Sequence, residues 1–297
     1  MNPLKYQVTA ISDVGLSRSL NEDSLLVDGE LGLFAIADGM GGHSYGDVAS
    51  NTVVTHLKEK LLAHVDNRKN TPNQSDHYND LEEAIDSCNK LILSMNAKEG
   101  MPVGSGMGTT LVGLYLLENR NEAVLFNVGD SRVYRLRGTK FAQLTKDHTM
   151  YQNWFDSGQK GEAPAKNILI NAIGLLDDIK SDLTLEKILP GDVFLICSDG
   201  LTTNLADSDL LVSIEKLNEA TDAEICIELV AKANDAGGED NTTIIIVSVA
   251  ELTVEKELAQ VQTSVLSKNS EIRTISGKNE ELGQTEKRPA INKNGST

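Results

Sequence analysis

The chain has 297 residues, 40% of them hydrophobic, and a formal net charge of −17, which allows one sizeable buried core and has the wrong sign for nucleic acid or an anionic membrane as partner. Residues 251–297 hold seven acids and seven bases, so the negative excess belongs wholly to residues 1–250. Three cysteines without CxxC spacing, no N-terminal apolar leader and no apolar run near the ~18 residues of a membrane span predict a reduced, soluble, cytoplasmic protein.

In chain order, residues 6–11 and 24–27 read as short strands, and 33–37 as a buried strand that ends on Asp38-Gly39. Val54, Leu57, Leu61 and Val65 share one face of a helix over 48–65. Leu81, Ala84, Ile85, Cys88, Ile92 and Met95 mark a second helix, with the polar stretch 67–79 as the loop between them. Strands follow at 111–117, 123–128 and 133–136, the middle one running into Gly129-Asp130. Another apolar strand, 193–197, ends on Ser198-Asp199-Gly200.

Two more helices carry Leu210, Leu211, Ile214 and Leu217, then Ile225, Cys226, Leu229, Val230 and Ala233. The second opens with the capping box Thr221 to Glu224 and closes near Gly237-Gly238. Asp240-Asn241 launches the run 244–247. In the polar tail, Val254, Leu258, Val261 and Val265 step by four and three, which predicts a short helix before a disordered end. Helices in pairs between runs of strands indicate an antiparallel α+β fold, with a catalytic-size domain over 1–250 and a tail over 251–297.

Asp38, Asp130 and Asp199 each stand where a buried strand emerges, and Asp240 stands where one begins. Carboxylates gathered there repel one another unless a cation joins them, and oxygen donors suit a hard divalent ion, Mg²⁺ or Mn²⁺. The stretch 104–108 has the wrong spacing for a dinucleotide loop and no strand before it, so Gly108-Thr109-Thr110 is expected to pack beneath the site. His56, His64 and His77 have no partner motif and are expected to be solvated; His148 is expected to be structural.

Six motifs in fixed order carry a family resemblance: Arg18-x-x-Asn21-Glu22-Asp23, the run Ala37-Asp38-Gly39-Met40-Gly41-Gly42-His43, Gly108-Thr109-Thr110, Val128-Gly129-Asp130-Ser131-Arg132, Cys197-Ser198-Asp199-Gly200-Leu201 and Asp240-Asn241-x-Thr243. Over roughly residues 6–250 the chain resembles metal-dependent protein phosphatases of the PPM type, also called protein phosphatase 2C, in their bacterial form. The resemblance implies two packed antiparallel sheets flanked by helix pairs, an αββα sandwich. It implies hydrolysis of phosphoserine and phosphothreonine by metal-activated water.

By the same residue-by-residue match, Asp38 would bridge two ions, Asp199 and Asp240 would hold one, and Glu22 with the Gly39 carbonyl the other. Asp23 would act through bound water, and Asp130 with Asp199 would hold an optional third ion. Arg18, four residues before Glu22, would take the phosphate, as a guanidinium fork suits two phosphate oxygens.

The implied partners are phosphorylated proteins and a cognate Ser/Thr kinase system, acting on a monomer. Met40 stands where eukaryotic relatives place a histidine, which leaves His43 as the residue that could protonate the leaving oxygen. Residues 149–168, with Trp154, Phe155, Gly158 and Gly161, correspond to the flap of bacterial relatives, and 167–174 lacks the arginine those relatives often carry. The alternative reading is a catalytically silent binding module of the same fold.

Overall fold

The central strands of this chain read as unbroken apolar runs because they are buried on both faces. In the computed structural model, which describes residues 5–41, 45–67, 74–117, 120–250, 261–266 and 273–277, β1 (Tyr6–Asp13), β2 (Asp23–Asp28) and β3 (Leu33–Met40) precede the helices α1 (Gly46–Asn67) and α2 (Gln74–Lys98). Then come β4 (Gly108–Thr109), β5 (Leu111–Leu117), β6 (Glu122–Val128), β7 (Arg132–Arg137), β8 (Lys140–Gln143), α3 (Met150–Asp156), β9 (Asp182–Lys187) and β10 (Val193–Cys197). The helices α4 (Asp199–Thr202), α5 (Asp207–Ile214) and α6 (Asp222–Asp235) lead to β11 (Thr242–Val249), β12 (Val261–Leu266) and β13 (Arg273–Gly277).

Two sheets result. One has the order β13-β12-β1-β11-β10-β7-β8, the other β2-β3-β5-β6-β9 with β4 paired to β3. Every pairing is antiparallel except β1 with β12.

Alternation along each strand divides the core into layers. Phe34 and Ile36 of β3, Phe194 and Ile196 of β10, and Ile245 and Val247 of β11 meet between the sheets. Leu33, Ala35 and Ala37 face the other way, onto Val53, Leu57, Leu81, Ile85 and Ile92 of α1 and α2. Leu195, Ile244 and Ile246 pack on Leu210, Ile225 and Leu229 of α5 and α6. The α+β sandwich of four layers is therefore as expected. The Thr221 capping box is formed in both directions, Thr221 N–H to Glu224 Oε2 at 2.8 Å and Glu224 N–H to Thr221 Oγ1 at 3.3 Å. No helix among the described residues is long and apolar enough to cross a membrane.

Four expectations need correction. α2 begins at Gln74, so the loop between the first helices is shorter than 67–79. The histidines of this helix pair are not simply solvated: His56 Nε2 bonds Ser87 Oγ at 2.9 Å, His64 Nδ1 lies 3.3 Å from Asp80 Oδ1, and His77 packs edge-on against Tyr115. They knit α1, α2 and β5 together. β8 and β9 occupy stretches where no strand was expected. In the tail, Val261 and Val265 lie on strand β12, not on a helix, since the β-branched run Val-x-Thr-x-Val pairs with β1; Val254 and Leu258 lie outside the described residues.

Candidate metal centre

Chain direction alternates in an antiparallel sheet, so the ends of β3, β6 and β10 and the starts of β2, β7 and β11 fall at one end of the sandwich. Asp23 pairs directly across from Asp38, Cys197 lies between Arg132 and Ile244, and the turn Gly129-Asp130-Ser131 crosses from one sheet to the other. Local chemistry makes each placement rigid. Asp38 N–H donates to Thr110 Oγ1 at 3.0 Å, while Thr109 Oγ1 and Thr110 N–H donate to Asp38 O, both at 2.9 Å.

Gly39 donates to Glu22 O at 3.1 Å, and any Cβ there would run into the carbonyl oxygens of Gly46 and Glu22. Gly129 has φ +121°, and a Cβ would lie 2.6 Å from the Thr110 side chain. Close backbone approach explains both glycines. The loop stretch before β4 has the same logic: Asn96 of α2 donates to Met107 O and Gly174 O and accepts from Met107 N–H.

Electrostatically the end of the sandwich is crowded. Burial, then the charges of Asp23, Asp199 and Asp130, raises the Asp38 carboxyl well above the usual range, and it is hydrogen-bonded to Asp199. Asp23 is pushed up to about 7, chiefly by burial, although Ser198 Oγ donates to it at 2.8 Å. Asp130 is likewise pushed up to about 7, by burial first and the Asp199 charge next.

Two cations bear on the cluster: Arg132, paired with Asp147 at 2.6 Å, acts on Asp130 and Asp199, and Arg18 lies at the rim. Arg18 is exposed; its Nη2 lies 2.8 Å from Asp240 Oδ2, its Nη1 3.9 Å from Glu22 Oε2, and its Nε donates to Glu239 O at 3.3 Å. Glu22 in turn accepts from Gly46 N–H at the start of α1, 3.2 Å away.

Among the described residues no three His, Cys, Asp or Glu side chains are already gathered to hold an ion. The carboxylates are turned onto partners instead: Asp38 onto Asp199, Asp240 onto Arg18, Asp23 onto Ser198. Their chemistry nonetheless fits a divalent ion. All are hard oxygen donors on fixed backbone, and burial, then mutual repulsion, raises the carboxyls of Asp23, Asp38, Asp130 and Asp199 where no cation neutralises them.

Asp38, Asp199, Asp240, Asp23 and Asp130 are therefore brought into one cluster, with Arg18 and Glu22 at its edge. His43 lies outside the described residues. His148 bonds to the Gly129 turn, away from solvent. Sequence reasoning missed Ser198 and understated Asn241, whose Oδ1 accepts from Glu22 N–H at 2.8 Å while Nδ2 donates to Val14 O and Leu20 O at 2.9 and 3.0 Å. That one amide pins both ends of the Arg18 loop. The only sequence signal for it was adjacency to Asp240.

A sequence profile of protein phosphatase 2C matches residues 17–231. Protein phosphatase PhpP of Streptococcus pneumoniae is 34% identical over 264 residues, spanning 84% of this chain and 100% of PhpP. The crystal structure of the Mycobacterium tuberculosis serine/threonine phosphatase PstP/Ppp is similar with a TM-score of 0.72 at 33% identity, covering 84% of this chain and 100% of that one. A PstP catalytic domain in complex with two manganese ions gives 0.70 at 32% identity over the same shares.

Proposed function

The chain belongs to the protein phosphatase 2C family, and from that premise we propose a role for each residue of the carboxylate cluster in removing phosphate from phosphoserine and phosphothreonine of proteins. The protein is a metal-dependent serine/threonine phosphatase. When bound, divalent cations supply charge neutralisation and an activated water, the two things a dianionic phosphomonoester needs. Asp38 lies between Asp199 on one side and Asp23 on the other and is the natural shared ligand. Asp199 and Asp240 would hold one ion, Glu22 and the Gly39 carbonyl the second, and Asp130 with Asp199 an optional third. Asp23 acts one step out, through water.

Mn²⁺ or Mg²⁺ fits this all-oxygen set better than zinc. Arg18, whose Nη2 lies 2.8 Å from Asp240 Oδ2 at the rim of the cluster, would take the substrate's phosphate oxygens with its guanidinium fork. His43 is our candidate to protonate the leaving seryl or threonyl oxygen. Catalysis belongs to residues 1–250, working as a cytoplasmic monomer that reverses a cognate Ser/Thr kinase. A silent binding module would have no use for this complete donor set.

The observation that carries the reading is the convergence of Asp23, Asp38, Asp130 and Asp199 on one another at a single end of the sandwich. Asp199→Asn tests it. The variant should lose Mn²⁺-dependent hydrolysis of an aryl phosphate by about 10³-fold or more while its circular dichroism stays native, because the change removes a charge from a repulsive cluster. Activity within a few-fold of wild type would overturn the assignment.

A further inference from the structure

His148 is mostly buried, with 12% of its side chain exposed, and the metal site makes no direct use of it. Its ring nevertheless has three partners. Gly129 N–H and the Asn171 amide both point at Nδ1, at 3.2 and 2.9 Å, while Nε2 faces Asp182 Oδ2 at 3.1 Å. An N–H and an amide NH₂ can only donate, so Nδ1 is the acceptor and the proton sits on Nε2, where Asp182 receives it.

The three partners belong to different parts of the fold. Gly129 immediately precedes Asp130; Asn171 is on the segment that leaves the flap; Asp182 opens β9. The main chain of His148 repeats the same connections, donating to Gly129 O and accepting from Ile170 N–H, both at 2.9 Å, and Met150 N–H closes the flap's neck onto Ile168 O at 2.8 Å. Asn171 has no freedom to turn away: its Nδ2 also donates to Lys180 O at 2.7 Å and its Oδ1 accepts from Lys180 N–H at 3.3 Å.

We propose that His148 is a positioning residue whose acceptor nitrogen, through Asn171 and Gly129, latches the flap of residues 149–168 to the Asp130 turn, so that the placement of the one fixes the placement of the other. The consequence for turnover rests on the phosphatase reading above; the latch itself does not. A peptide substrate reaching from the carboxylate cluster across the flap meets both parts in register. A small aryl phosphate, which touches only the cluster, is largely indifferent to it.

The chain has one tryptophan, Trp154, and it lies on α3 in the flap, with Nε1 donating to Lys160 O at 3.0 Å. Its quenching by acrylamide therefore reports the flap without reference to activity. In the full chain, His148→Leu and Asn171→Ala should each raise the quenching constant by about twofold or more and raise KM for a phosphothreonine peptide more than for an aryl phosphate. His148→Asn, whose Oδ1 falls where Nδ1 stood, should stay near wild type in both. His148→Gln, which restores only a group directed at Asp182, should behave like the leucine variant.

Unchanged quenching in the leucine and Asn171→Ala variants, or rescue by glutamine as complete as by asparagine, would overturn the proposal. If His148→Leu does not fold, Asn171→Ala decides alone, since that side chain is only half-buried. A failed phosphatase assignment would appear as activity in Asp199→Asn and leave the quenching result intact, so the two failures are distinguishable.

Discussion

Asn241 spends all three of its amide bonds on the segment 14–22, which lies more than two hundred residues away in sequence. Gly238 O, which accepts from Leu16 and Ser17 N–H, holds only the first flank of Arg18, and Asn21 Nδ2 adds a bond to Ser12 Oγ at 2.8 Å. Asn241→Ala should therefore raise KM for an aryl phosphate about tenfold with a smaller loss in kcat, and cost about 1–3 kcal/mol of stability through the donors and acceptors left unpaired. Steady-state kinetics with a thermal melt would separate the two effects. Asp38, Asp130, Asp199 and Asp240 were legible because each ends or begins an apolar run, a purely local signal, whereas Glu22 and Asp23 entered only through the family resemblance. Asn241 and Ser198 were not, because an amide or hydroxyl declares its role only when folding brings its partner across the sandwich.

Among the elements, β3 is both a wall of the core and a carrier of the site. Gly39, near its end, has the carbonyls of Gly46 and Glu22 against its Cα, so Gly39→Ala must push α1 away from β2. The expected result is a loss of about 2–4 kcal/mol, read as a lower denaturation midpoint, together with weaker Mn²⁺ activation. Helices were legible where a stripe of four or more apolar residues repeats, as in α2 and α6. β9 offers only Leu183 and Leu185 to the core, and β8 is four residues at a sheet edge. Neither pattern is long enough to stand out from a loop. The tail misled because Val261 and Val265, four apart, suit a helical face as well as one side of a strand, and the pairing with β1 that decides between them is not local.

Across the whole molecule, the crowded carboxylates oppose folding in the absence of a cation. Mn²⁺ that binds the folded chain at 100 times its dissociation constant should stabilise it by about 2.7 kcal/mol, visible as a rise in Tm that EDTA reverses and that Asp199→Asn diminishes. Melting curves across a Mn²⁺ titration check this. The cross-strand pairing of Asp23 with Asp38 has a bearing on how the chain reaches its fold at all. Strands buried on both faces exchange one apolar set for another when they slip by a residue, so hydrophobic patterning is a weak guard against misalignment. A one-residue slip of β3 against β2 or β5, however, would turn Asp38 from the face it shares with Phe34 and Ile36 onto the face that packs against α1 and α2, where an unpaired carboxylate is costly. Carboxylates at these strand ends would thus also serve as stops during folding, marking where each strand must end and disfavouring a sandwich assembled out of alignment.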